Sequence, residues 1–168
     1  STVGNCSVVV NNFNCADIDS GSNLKWFKWQ ISDGEPSNIW NTTSIQGPIL
    51  NESNVTVSII EGNSYLFNRS SGGNQNRRLA INVYDTENSS YASNATVDFW
   101  VTNDSASYRL ENANATDTLG NATYWFNPNC THTVGSQTWI AGVSDGCYQD
   151  KNLTSNNSIS ITGNLWPT

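Results

Sequence analysis

Apolar and polar residues alternate with a period of two in ten segments of the chain, at 6–10, 24–31, 55–60, 65–67, 79–84, 96–101, 108–110, 121–126, 138–143 and 158–161. Successive side chains of an extended strand point to opposite faces, so this period predicts half-buried β-strands. In the segment after Asn94, Ala95, Val97, Phe99 and Val101 form one set, and Thr96, Asp98 and Trp100 the other. After Asn121 the inward set is Ala122, Tyr124 and Phe126, against Thr123 and Trp125; after Asn54 it is Val55, Val57 and Ile59. Gly, Asn, Asp and Ser punctuate the runs, and helical spacing is nearly absent. Leu24, Phe27 and Ile31 also suit a short helix, but the aromatic content of 24–31 favours a strand. Ten short strands predict an all-β chain built as one or two β-sandwich units.

The stretch Ser70-Ser71-Gly72-Gly73-Asn74 is the most linker-like. It places a domain boundary near residue 75, giving an N-terminal β region at 1–75 and a sandwich at 76–168, or else it is a long loop within one sandwich.

Composition narrows the function. The chain has 168 residues with 14 acidic and 7 basic side chains, a net charge of −7, and only 12% charged residues. No basic surface is available to neutralise phosphates, which argues against nucleic acid as a partner. The longest aliphatic string, Val8-Val9-Val10, is far short of a membrane-spanning helix. No signal peptide is visible, and a start at Ser1 without Met reads as processed.

The 26 asparagines head 13 Asn-x-Ser/Thr tripeptides, at Asn5, Asn41, Asn51, Asn54, Asn68, Asn88, Asn94, Asn103, Asn114, Asn121, Asn129, Asn152 and Asn156, about twice the number that this Ser and Thr content produces by chance. Asn and the hydroxyl residue two positions on share a strand face, so the middle residue points inward. Seven of the 13 middle residues are apolar: Cys6, Val55, Ala95, Ala115, Ala122, Cys130 and Leu153. The pattern predicts a densely N-glycosylated extracellular chain whose sugars cover outer sheet faces and leave the interior alone.

Four cysteines, Cys6, Cys15, Cys130 and Cys147, allow three disulfide pairings. The local one, Cys6 with Cys15 and Cys130 with Cys147, is preferred because each pair brackets a candidate hairpin whose ends are near in sequence. No Cys-x-x-Cys spacing exists and His132 is the sole histidine, so no thiolate or histidine metal site is expected. The segment from Asp17 to Asn23 begins like a calcium loop, but Gly21 takes the third ligand position and no late glutamate follows, so it reads as a polar turn, as do Asp33-Gly34 and Asp145-Gly146. Neither a catalytic triad nor a nucleophile elbow is present around His132. Glu35 with Asp33 is the nearest thing to a carboxylate pair, and nothing brings it to a hydrolytic geometry. No catalytic residue, metal ligand or cofactor-binding residue is therefore assigned, and no cofactor is expected apart from covalent N-linked glycans. The tryptophans Trp26, Trp29, Trp40, Trp100 and Trp125 offer a rival function as flat platforms for sugar rings.

Thr116-Asp117-Thr118-Leu119-Gly120-Asn121-Ala122-Thr123 resembles the TD-x-x-G-x-A strand-turn-strand signature of immunoglobulin-like domains in prokaryotic surface proteins, including the invasin and intimin type. Around it, 79–84, 95–101, 139–143 and 159–163 are similar to the opening, next, late and closing strands of such domains, covering roughly 77–165. Phe13 to Asp17 followed by 24–29 is a weaker likeness. The resemblance implies a stacked module of an adhesin, surface layer or filament, and the sequon density looks more archaeal than bacterial. The expectation is thus an extracellular, cell-surface structural glycoprotein that self-associates with copies of itself, with 1–12 as a strand donated to a neighbour. The alternative is a carbohydrate-binding or adhesin module.

Overall fold

In the computed structural model the described residues are 7, 15, 18, 25–32, 39–47, 49–69 and 77–163. All their regular structure is β. Eight of the expected strands are present, at Val55–Glu61 (β5), Tyr65–Arg69 (β6), Arg77–Asp85 (β7), Thr96–Thr102 (β9), Tyr108–Ala115 (β10), Asn121–Phe126 (β11), Gly135–Val143 (β12) and Asn157–Gly163 (β14). The expected strand at 24–31 is two shorter ones, Trp26–Phe27 (β1) and Gln30–Ser32 (β2), and Ile39–Asn41 (β3), Ile45–Gln46 (β4), Ser90–Tyr91 (β8) and Lys151–Asn152 (β13) are additional. The expected strand at 6–10 and donor segment at 1–12 lie outside the described residues, apart from Ser7.

The chain divides into two units, Ser1–Glu52 and Ser53–Thr168. In the first, β1 pairs with β4 and β2 with β3, both antiparallel. In the second, one sheet has the order β10-β9-β12-β14-β6 with β13 alongside β12, and the other has the order β11-β7-β5 with β8 alongside β7. Every pairing is antiparallel except β14 with β6. Because β5 pairs with β7 and β6 with β14, strands on either side of residue 75 belong to one unit. The division of the chain thus falls at 52/53.

The two sheets share one core, as in a β-sandwich. Leu79, Ile81 and Val83 of β7 and Ala122 and Phe126 of β11 meet Val97, Phe99 and Val101 of β9, Trp139, Ala141 and Val143 of β12, and Phe67 of β6, all buried. The β9 alternation is as the sequence pattern requires, with Thr96, Asp98 and Trp100 on the less buried face. On β5 the pattern fails after Val57. A bulge between Ile59 and Glu61 leaves both Ile59 and Ile60 exposed, because an extra residue in one strand breaks the period of two.

Trp139 fixes the centre of the core. Its ring stacks on Phe99 with centroids 6.4 Å apart, and its indole N–H donates to the Gly62 carbonyl at 2.9 Å. Gly62 sits at φ +115, and a Cβ there would lie 2.7 Å from Leu79 Cδ2 and 2.9 Å from Trp139 Cζ2. Only glycine combines that backbone with that approach. Trp139→Phe removes the donor to a buried carbonyl and leaves a gap beside Phe99. Urea denaturation should show a loss of about 2 kcal/mol, and a change below about 0.5 kcal/mol would contradict this role.

Candidate functional site: an acceptor surface along the sheet edges

The sequon asparagines are positioned by the strand order. Of the 12 that fall among the described residues, Asn68, Asn103 and Asn121 are half-buried, the other nine are exposed, and none is buried; Asn5 lies outside the described residues. Asn41 is in β3 and Asn51 at the end of the first unit. In the second unit four sequon asparagines lie within strands: Asn68 in β6, Asn114 in β10, Asn121 in β11 and Asn152 in β13. Each of these strands has a neighbour on one side only among the described pairings. Asn54 directly precedes β5, the remaining edge of its sheet. Interior strands contain asparagine too, Asn82 in β7 and Asn157 in β14, but neither heads a sequon. Asn88, Asn94, Asn103, Asn129 and Asn156 occupy connections between strands.

Four of the six described apolar middle residues point inward. Val55, Ala95, Ala122 and Leu153 are buried, whereas Ala115 and Cys130 are exposed. Ala115 ends edge strand β10, which is exposed on both sides there, and Cys130 is in a loop, where alternation has no force.

Hydrogen bonds set the amide groups. Thr131 donates to Asn129 Oδ1 through its backbone N–H at 2.9 Å and its hydroxyl at 2.6 Å. This Asx turn engages the amide oxygen. Asn88 Nδ2 donates to Asp85 Oδ2 at 2.7 Å, and Asn114 Nδ2 to the Thr123 carbonyl at 2.7 Å. An amide nitrogen carrying a sugar retains one hydrogen, so a single donated bond is compatible with attachment. At Asn121, Oδ1 accepts from Asn82 Nδ2 at 2.9 Å.

Asn121 sits in the Thr116-to-Thr123 motif, whose residues each have a visible task. Buried Thr116 donates its hydroxyl to the Ala92 carbonyl at 2.6 Å and accepts from Ala95 N–H at 2.8 Å. The Asp117 carboxylate accepts the N–H groups of Leu119 and Asn121, both at 2.8 Å. Gly120, at φ +72, would place a Cβ 2.3 Å from the Val83 carbonyl. Ala122 is small enough to seat against the core.

The cysteines differ from the local pairing. Cys147 is disulfide-bonded and Cys130 is an exposed free thiol, so Cys130 does not pair with Cys147. The two do not bracket a hairpin. They flank β12, whose nine residues span about 26 Å, well beyond the ~7 Å reach of a disulfide. Cys15 is also disulfide-bonded; Cys6 lies outside the described residues.

His132 is buried against the edge of Phe126, with centroids 5.2 Å apart, and its Nε2 is 3.3 Å from Glu111 Oε1. Among the described residues no three His, Cys, Asp or Glu side chains converge as a metal site, and no helix is long and apolar enough to cross a membrane. Asp145 caps a turn, accepting from Cys147 N–H at 2.9 Å and from Thr96 N–H at 3.0 Å. Of the calcium-like segment at 17–23 only Ile18 is among the described residues, and Asp33, Gly34 and Glu35 lie outside them.

Among the tryptophans, Trp26, Trp40 and Trp125 are exposed, while Trp29 and Trp100 are half-buried. Trp125 lies beside a cleft that the sequence did not reveal, lined by Glu61, Tyr65, Arg77, Arg78 and Trp125. Its members come from four strands: Glu61, Arg77, Arg78 and Trp125 are brought together by the β7–β11 and β5–β7 registers, and Tyr65 by the turn between β5 and β6, so no local motif signals it. No protein-family model matches the chain, and a search of curated proteins finds no match.

The bond from Asn121 N–H, then that from Leu119, hold the Asp117 carboxyl below its ordinary range. A group depressed on folding stabilises the native state above its unfolded pKa and loses that contribution as pH falls through its folded pKa. Asp117→Asn should therefore be less stable than wild type by a constant margin above pH about 5, with the margin shrinking below about 4. Denaturation across that window checks this, and a margin independent of pH would exclude the carboxylate's charge as the cause.

Proposed function

We propose that this chain is a structural, heavily N-glycosylated extracellular protein, an immunoglobulin-like unit of a surface layer or filament that assembles with copies of itself. The observation that carries the reading is the restriction of in-strand sequons in the second unit to edge strands. An edge strand presents unpaired N–H and C=O groups to any passing strand, and natural sheets blunt such edges with charge, bulges or covering. This chain has few charges. Its edges β5 and β10 contain bulges, between Ile59 and Glu61 and between Leu110 and Asn112. A hydrophilic glycan on each edge supplies the covering, and the surface left bare is then available for ordered contacts, with 1–12 as the donated strand.

A carbohydrate-binding or adhesin module is the second reading, favoured by the exposure of Trp125 at 60%.

Replacing Asn68, Asn114, Asn121 and Asn152 together by Gln should raise the aggregation rate of the secreted protein severalfold in light scattering. Replacing the connection asparagines Asn88, Asn94, Asn129 and Asn156 should have a much smaller effect. Equal effects from the two sets would remove the edge argument. Deleting residues 1–12 should abolish polymers in electron micrographs while leaving folded monomers, and unchanged polymers would refute strand donation.

A further inference from the structure

The cleft beside Trp125 has a volume of about 450 Å³, within the roughly 300–1,000 Å³ of small-molecule sites. Trp125 stands opposite Arg78 in the β7–β11 register, so the two share one sheet face. Arg78 is committed, since its Nε donates to Glu61 Oε2 at 2.7 Å and its Nη2 contacts the same oxygen. The other Glu61 oxygen accepts from the Tyr65 hydroxyl at 2.8 Å. These bonds, Tyr65 first and Arg78 second, hold Glu61 below its ordinary range, and Tyr65 is pushed up mainly by the same bond. The floor of the cleft is thus a closed polar chain with its negative charge already balanced.

Arg77 is left over. Its guanidinium lies over the Tyr65 ring, 5.2 Å from the centroid, and among the described residues it has no carboxylate partner. Arg77, opposite Phe126 in the register, leaves β7 on the other face and reaches the cleft along Tyr65, so the cleft is lined by an indole from one side and an uncompensated, ring-oriented guanidinium from the other. The indole suits the C–H face of a pyranose, and the guanidinium suits a planar carboxylate in two-point contact. A single spare positive charge in a chain of net charge −7 matches a monoanion better than a polyphosphate.

We infer that this cleft binds a carboxylate-bearing sugar residue, with its ring on Trp125 and its carboxylate on Arg77. Such a sugar has two sources. Asn121 lies on the same face of β11, four residues or about 13 Å from Trp125, within reach of a short glycan. The other source is a saccharide on a different molecule.

The test titrates the secreted full-length protein, wild type and Asn121→Gln, with trigalacturonate and with maltotriose in calcium-free buffer, following the tryptophan indole N–H signals by NMR. In Asn121→Gln, trigalacturonate should bind with a Kd of about 1 mM or tighter and at least about tenfold more tightly than maltotriose. Arg77→Gln in that background should erase the preference, and Trp125→Ala should abolish binding of both probes. Arg77 and Trp125 are exposed, so neither change threatens folding. Absence of binding, equal affinity for the two probes, or a preference that survives Arg77→Gln would overturn the proposal. Once binding is established, weaker binding to wild type than to Asn121→Gln assigns the cleft to the chain's own glycan, and equal binding assigns it to another molecule's sugar. The inference does not depend on the edge coat: a chain with bare asparagines would bind the probes equally with or without Asn121, and a coated chain that ignores them would leave the coat argument standing.

Discussion

The constraint on which the second unit depends is the unpaired backbone along its sheet edges. Among the described residues, two open sheets of five and three main strands leave four edges, at β10, β6, β11 and β5. In water each edge is hydrogen-bonded to solvent and costs nothing until another chain arrives. At that point the same groups template a new strand pair. Charged side chains are the usual deterrent, and this chain, with 12% charged residues, has few of them. The bulges on β5 and β10 answer that problem, and under the function proposed above sugars on the edge asparagines would answer it as well. The interior strands β7, β9, β12 and β14 face no such hazard, and no acceptor asparagine of a sequon lies within them.

The interior is built for rigidity at a few fixed points. Trp139 spans from Phe99 to the Gly62 carbonyl, tying β12 to the turn between β5 and β6. The Asp117 turn ties β11 to the Val83 region of β7, because the Gly120 carbonyl accepts the Val83 N–H at 2.8 Å. Gln137, a buried polar side chain, is held at both ends of its amide. Gln137 Oε1 accepts from the Thr102 hydroxyl at 2.7 Å and from Ser105 N–H at 2.8 Å, while its Nε2 donates to Thr133. A sandwich fixed in this way holds its edges in defined places, which is what a covering attached at particular residues requires.

Much of this architecture was legible in the chain. The period of two located eight strands and the inward faces of β9 and β11, since side-chain alternation is a local property. The turn before β11 was legible in outline, and Thr116 and Asp117 hold it by bonds to Ala92, Ala95, Leu119 and Asn121. What failed was non-local. That β5 and β6 pair with strands beyond residue 75 was not visible, because the partners lie far along the chain. The Cys130–Cys147 pairing rested on sequence proximity, and a straight strand keeps the two apart. The pairing of Arg78 with Trp125 depends on strand register, which no window of sequence encodes, and the edge position of β6, β10, β11 and β13 depends on the full strand order.

The most direct measurement is site-resolved peptide mapping of protein purified from its natural source, reading the mass on each acceptor asparagine. The account predicts sugar on Asn68, Asn114, Asn121 and Asn152 in most molecules. Bare amides at these four positions, whatever the occupancy of the connecting loops, would contradict it.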